Sequence, residues 1–246
     1  MRIDILTLFP EMCERVLDES MIGRARRSGI IEVNCHNIRD YTADKHRRVD
    51  DMPYGGGQGM LMKPEPIAAC FEAVARQCAS RPLFIYLSPK GRVFKQSLAR
   101  ELLQYENICL LCGHYEGVDQ RLIDSMIDME LSVGDYVLTG GELPALIVTD
   151  AVCRMIPGVL AEDACFEEES HYDGLLEHPQ YTRPPVWNGM TVPEELLSGH
   201  HARIARWKRQ QSLAVTQAVR PELLDGAALT PEERQRLATD EKVVTD

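Results

Sequence analysis

CGHYEGVDQRLIDSMIDMELSVGDYVLTGGELP, residues 112–144, is the stretch that decides how this chain folds. Five glycines punctuate it: Gly113, Gly117, Gly134, Gly140 and Gly141. They stand at the ends of short apolar runs, not inside them. Glycine at a strand end tolerates positive φ and lets the backbone approach a ligand closely. Three such loops in one window predict a pocket walled by backbone. A pocket of that kind suits a small, flat, polar cofactor read through peptide N–H and C=O groups.

Outward from this window, the first 160 residues alternate two periods. IDILTL, IEVNCHNI, LFIYLS, NICLLC and MELSV are short apolar or β-branched runs that read as strands. Amphipathic stretches lie between them at Glu11–Ser20, Pro64–Cys78, Phe94–Tyr105, Asp119–Met126 and Glu142–Ile156. Pro64 and Pro66 fit a first helical turn, where no N–H partner is lost. The alternation predicts an α/β fold, a mostly parallel sheet with helices on both faces. Ligands of such sheets gather beyond the carboxyl ends of the strands, where Ser88–Gly91, Gly113–Gly117 and Val133–Gly141 fall.

From Ala161 to Glu177 the periodicity fails, and this stretch reads as an acidic linker. Residues 178–246 read as a small all-helical domain, with a helix over His201–Val219 and a later one capped by Thr230 ahead of Pro231. Three parts result: 1–160, 161–177 and 178–246. Trp187 and Trp207 are expected to pack in the interior.

With 44% hydrophobic and 26% charged residues among 246, the composition is that of a soluble globular protein. No run approaches the roughly 18 apolar residues of a membrane span. The N-terminus reads as a first strand and not as a signal peptide, so a cytoplasmic protein is expected. The eight cysteines are scattered and mostly lie among apolar neighbours. Cys109 and Cys112 form a CxxC, but in a strand residues three apart face opposite ways, and core packing is the better reading.

The net charge of −11 by itself speaks against a nucleic-acid partner. Its distribution does not. Arg24–Arg48 holds seven basic residues against three acidic ones, and His200–Arg220 holds five with no acid. Glu162–Glu177 holds seven acids and no Lys or Arg. Local basic surfaces and plain solvated helix faces both fit this asymmetry.

No GxGxxG follows the first strand, and no GxxxxGKS or GxxxxGKT occurs. YGGGQGM, residues 54–60, lacks the lysine of a P-loop and reads either as a loop closing over a site or as a plain surface loop. With it, in order along the chain, stand SPKGR (88–92), CGHYEGVDQR (112–121), VGDYVLTGGELPAL (133–146), RMIPGVL (154–160) and HPQYTRPPVWNG (178–189). Together these six motifs resemble the bacterial tRNA (guanine-N1)-methyltransferases of the SPOUT superfamily, over essentially the whole chain.

The resemblance implies a deep trefoil knot in the C-terminal part of the sheet domain, a feature that pattern reading alone would argue against. It implies a homodimer with shared active sites and S-adenosylmethionine bound in the knot loops. The implied substrate is tRNA with guanosines at positions 36 and 37, methylated at the second, just 3′ of the anticodon. Matched residue by residue, the cofactor loops would comprise Pro89, Gly91, Gly113, Tyr115, Glu116, Val133, Gly134, Asp135, Tyr136, Val137, Leu138, Gly140, Gly141 and Pro144. A dependence on Mg2+ is implied too, but no HxxE or Cys/His cluster marks a metal site.

The implied chemistry makes two demands. N1 of guanine carries a proton at neutral pH, so a base must remove it. The charge that spreads to O6 then needs a preorganised donor. The resemblance assigns the donor to Arg154. For the base, the family has Asp before the Ser of the linker; this chain has Glu169 before Ser170, with Glu168 and Asp173 as rivals. Arg203, Arg206, Lys208 and Arg209 are the expected tRNA phosphate contacts. Two other readings remain at this point: a knotted methyltransferase acting on a different RNA or on a ribose, and a catalytically silent RNA-binding relative.

Overall fold

The computed structural model describes residues 1–160 and 169–244. The chain divides into two compact units, Met1–Asp163 and Ala164–Asp246.

In the first unit the elements run β1 (Arg2–Thr7), α1 (Pro10–Leu17), α2 (Ser20–Arg27), β2 (Glu32–Asn37), β3 (Asp50–Asp51), β4 (Leu61–Met62), α3 (Pro64–Ala75), β5 (Leu83–Val93), α4 (Gln96–Leu102), β6 (Asn107–Cys112), α5 (Gln120–Met126), β7 (Met129–Ser132) and α6 (Glu142–Cys153). Five of the strands form one sheet in the order β2-β1-β6-β5-β7, every pair parallel. β3 and β4 pair separately as a short antiparallel ribbon. The expected parallel α/β architecture is therefore present.

The sheet is buried on both faces, which is why its strands read as continuous apolar runs. On one face Leu6, Phe84, Cys109 and Leu111 pack with Ile67, Cys70, Phe71 and Val74 of α3. Phe71 stacks on Phe84 with ring centroids 4.0 Å apart. Burying a ring of this size contributes about 1.5–3 kcal/mol. Alternation turns Ile5, Ile85 and Leu110, all fully buried, to the opposite face, where α6 lies on β1 and β6 and packs against α1 and α4. Cys109 and Cys112 are free and wholly buried, and burial pushes both thiols well above their ordinary range.

Two elements depart from the sequence reading. α2 is hidden in the sequence by Gly23, a poor helix former in its middle. There the backbone needs the space, because a Cβ would meet the Asp18 carbonyl oxygen at 2.1 Å. β5, expected to stop at Ser88, continues to Val93. Leu87 pairs with Leu131, the chain then bulges, and Arg92 returns to the same Leu131.

The second unit holds β8 (Val186–Trp187), β9 (Met190–Thr191), α7 (Glu194–Leu197), α8 (His201–Val219) and α9 (Pro231–Val244). Leu175, Leu213 and Ala227 form its small core. The cap expected at Thr230 is reciprocal: Glu233 N–H donates to the Thr230 hydroxyl at 3.2 Å, and Thr230 N–H donates to the Glu233 carboxylate at 2.8 Å. Trp187 corrects an expectation. It is 64% exposed, because it sits beside the Asn188–Gly189 turn of a hairpin whose strands are two residues long. Trp207 is half-buried against His178 and Tyr181. None of the described helices is long and apolar enough to cross a membrane.

Candidate active site

At the carboxyl ends of β5, β6 and β7 the first unit opens into a cavity of about 460 Å3. That volume lies within the usual range of small-molecule sites. Its wall is made by the end of β5, the loop after β6, the loop after β7 and the first turn of α6. Pro89, Gly113, Tyr115, Glu116, Val133, Gly134, Tyr136, Val137, Leu138, Gly140, Gly141 and Pro144 all line it. Val137 sits at the rim, 83% exposed.

Two of the expected cofactor residues do not line the cavity. Asp135 is exposed on the β7–α6 loop. Gly91 lies on the backbone of β7, where a Cβ would come within 2.3 Å of the Leu131 nitrogen. The absence of a side chain there lets two chain segments cross closely. Sequence reading missed Tyr86 and Ser132, which line the cavity; Ser88 and His114, which line it too, lie in segments it placed at the strand ends without naming them as cofactor residues. Tyr86 and Ser88 are buried within β5 where its bulge begins, and the apolar run around them masks that placement.

The glycines create the wall by admitting neighbours. A Cβ on Gly113 would meet the Tyr86 ring at 2.8 Å, and one on Gly141 would meet the Cys112 Cα at 2.6 Å. The Gly141 N–H donates to the Gly113 carbonyl at 2.9 Å, tying the β6 loop to the start of α6. Ser132 Oγ donates to the Gly134 carbonyl at 3.0 Å and holds the β7 loop in its turn. Burial, with the nearby Glu130 charge, pushes the Tyr86 phenol up to about 12, so it is a neutral hydroxyl at physiological pH.

The YGGGQGM loop backs onto this site. Glu116 N–H donates to the Met60 carbonyl at 3.0 Å, and Met62 N–H donates to the Gly117 carbonyl at 2.9 Å. Gly59, at φ +86°, leaves room for Glu116: a Cβ there would meet the Glu116 Cγ at 2.4 Å. Beneath the cavity Glu142 opens α6 with only 4% of its surface exposed. It accepts a hydrogen bond from the Thr7 hydroxyl at 2.7 Å. That pairing, across 135 residues, leaves no local signal in the sequence.

Arg154 is the C-cap of α6, its N–H donating to the Asp150 carbonyl at 3.0 Å. In the second unit Glu169 lines a cleft of about 260 Å3 with Asp173, His178, Lys208 and Arg209. Asp173 is engaged there: it takes the Arg209 guanidinium at 3.2 Å and the Leu175 N–H at 3.2 Å. Glu168 lies outside the described residues. Arg209 also forks onto Glu233 at 2.9 and 3.1 Å and donates to the Ala228 carbonyl at 2.7 Å. It ties α8 to α9, whereas Arg203 and Arg206 are exposed on α8. Among the described residues no three His, Cys, Asp or Glu side chains converge on a metal-sized site.

A parallel α/β domain with a backbone-walled cavity at its strand ends belongs to the class of open-sheet domains whose small-molecule sites lie there. The match to known proteins is more specific. The family model for tRNA (guanine-1)-methyltransferase TrmD covers residues 1–226. A tRNA (guanine-N(1)-)-methyltransferase of Caldanaerobacter subterraneus is 55% identical over 237 residues, 96% of this chain and 97% of the relative. Those of Ruminiclostridium cellulolyticum and Geobacter sulfurreducens are 54% and 53% identical, over 92% and 98% of this chain and 97% and 98% of their own lengths. The chain belongs to the tRNA (guanine-1)-methyltransferase family.

Proposed function

We propose that this protein methylates N1 of the guanosine 3′ of the anticodon, tRNA position 37, in tRNAs with guanosine also at position 36. The observation that carries the reading is the backbone-walled cavity at the strand ends, in a chain of this family. S-adenosylmethionine fits that cavity, and when bound it supplies an electrophilic methyl group. Peptide groups of the Gly113, Gly134 and Gly140–Gly141 loops would bind its polar edges. Tyr136 and Leu138 would cover an apolar face, and the Glu116 carboxylate would meet positive charge.

Glu169 takes the proton from guanine N1, and Arg154 offers its guanidinium to O6 as negative charge develops there. A carboxylate one methylene longer than aspartate keeps the chemistry and shifts its reach.

The chain in this reading is a trefoil-knotted homodimer. The closeness of Gly91 to β7 and of Gly141 to β6 supports a tightly threaded backbone. Exposed Met12 and Val16 on α1 and Phe9 at its start, with Leu143 and Ile147 on the adjoining α6, supply an apolar face for a second copy.

Single-turnover transfer from labelled S-adenosylmethionine tests the reading, using transcripts with guanosine or adenosine at position 37 behind guanosine 36. Methyl should appear at N1 of the first transcript alone. Glu169→Ala should slow that transfer by about 10²- to 10⁴-fold, the usual contribution of a general base. A full rate in Glu169→Ala, with the rate lost in Glu168→Ala or Asp173→Ala, would reassign the base.

A further inference from the structure

His114 follows the first glycine of the β6 loop and lines the cavity. Its ring is clamped between Phe9 and Tyr115, each 5.1 Å away centroid to centroid. Its Nδ1 is buried and has no hydrogen-bond partner among the described residues. A buried polar atom left in that condition destabilises the fold. Such an atom calls for an explanation, and a partner gained when a ligand or water enters is one.

One candidate partner stands within reach. A Cβ placed on Gly140 would lie 2.3 Å from Glu142 Oε2 and 2.7 Å from His114 Nδ1, so the two atoms are no more than about 5 Å apart. The other oxygen of Glu142 is fixed by the Thr7 hydroxyl at 2.7 Å. Gly140, without a side chain, leaves the gap between them clear. Tyr86 and Glu116 also border this end of the cavity, but Glu116 is turned toward Gly59.

We propose that His114 is a positioning residue for the cofactor, acting through an Nδ1–H···Oε2 hydrogen bond to Glu142 that closes as the cavity fills. Such a bond selects the Nδ1–H tautomer and turns Nε2 into an acceptor. It ties the Gly113–Gly117 loop to the first turn of α6, the two segments that the Gly141–Gly113 backbone bond already joins. The ligand it serves is the small cofactor of the proposed function, and the inference rests on that reading.

The test measures S-adenosylmethionine binding by calorimetry and the His114 tautomer by long-range 15N–1H correlation, with and without the ligand. His114→Phe keeps the ring contacts and removes the N–H. His114→Asn restores an N–H at the Nδ1 distance, and His114→Gln restores one at the Nε2 distance. We expect the Nδ1–H tautomer in the bound protein. His114→Phe should weaken binding by roughly tenfold, a loss typical of one buried hydrogen bond. His114→Asn should recover most of that loss and His114→Gln should not, with KM for the cofactor rising more than kcat falls.

An Nε2–H tautomer in the bound state, or binding by His114→Phe equal to wild type, would overturn the proposal. So would equal binding by the Asn and Gln variants, a comparison that decides the matter if the Phe variant folds poorly. Failure of the wild type to bind S-adenosylmethionine would overturn the proposed function instead, a result separate from any difference among the variants.

Discussion

Asp4 shows what a single buried carboxylate does for the sheet. It sits fully buried on β1, accepting from Arg2 at 2.7 and 3.0 Å, from Asn34 at 3.2 Å, and paired with His36 at 2.8 Å. Burial pushes its pKa up, but the His36 and Arg2 hydrogen bonds outweigh burial and hold it below the ordinary carboxylate range. Its charged form is therefore favoured more in the folded than in the unfolded protein. The resulting stability is complete above the unfolded value of about 4 and is lost as pH falls through the lower native value. Asp4→Ala should cost about 3–5 kcal/mol at neutral pH, as breaking a buried pair does, and should flatten that acid limb. Urea titrations of both proteins from pH 7 to pH 3 measure the two effects. Arg2 stands two residues away on the same face of β1, but Asn34 and His36 come from β2, about thirty residues on, and no local pattern announces them.

At the scale of elements, much is legible where one period rules one stretch. All five sheet strands, and helices within each of the five amphipathic stretches, lie where apolar periodicity places them. The glycines are legible as a cluster but not one by one. Gly113, Gly134, Gly140 and Gly141 wall the cavity, while Gly91 in the same motif set is a packing glycine between β5 and β7. A glycine needed for backbone packing and one needed for ligand approach look identical in a sequence. The structure separates them and predicts different phenotypes. Gly91→Ala should destabilise the first unit by about 1–3 kcal/mol, the usual cost of forcing extra atoms into a packed site, because the obstructing atoms are backbone. Denaturation midpoints should fall accordingly, with cofactor affinity per folded molecule little changed.

For the whole molecule, charge placement matters more than charge sum. A protein of net charge −11 meets a polyanion through local surfaces. α8 carries four of the basic residues in the second unit, and the structure divides their work. Arg203 and Arg206 are exposed, whereas Arg209 is bound into α9 through Glu233. Reversing Arg203 and Arg206 to Glu should weaken tRNA binding and flatten its dependence on salt, by about 0.9 in log–log slope for each duplex phosphate no longer neutralised. Arg209→Ala should instead lower the melting temperature of the second unit, and scanning calorimetry beside filter binding distinguishes the outcomes. The sequence offers all of these as one basic run; folding pairs Arg203 only loosely with Glu195 at 3.6 Å and leaves it exposed, whereas Arg209 is held by Glu233 and Asp173.

The order of strands in the sheet carries a consequence for synthesis. β1 is made before the other strands of its sheet, yet one of its edges pairs with β6, at residues 107–112. A chain growing on the ribosome therefore presents that edge unpaired while about a hundred further residues are added. Such an edge invites pairing with other chains, and pairing between segments so far apart forms slowly. The cavity waits longer still, because its wall is completed by Gly141 and Pro144. The sheet's earliest strand thus stays half-paired for most of the unit's synthesis, and the capacity to hold a ligand comes only as that unit nears completion.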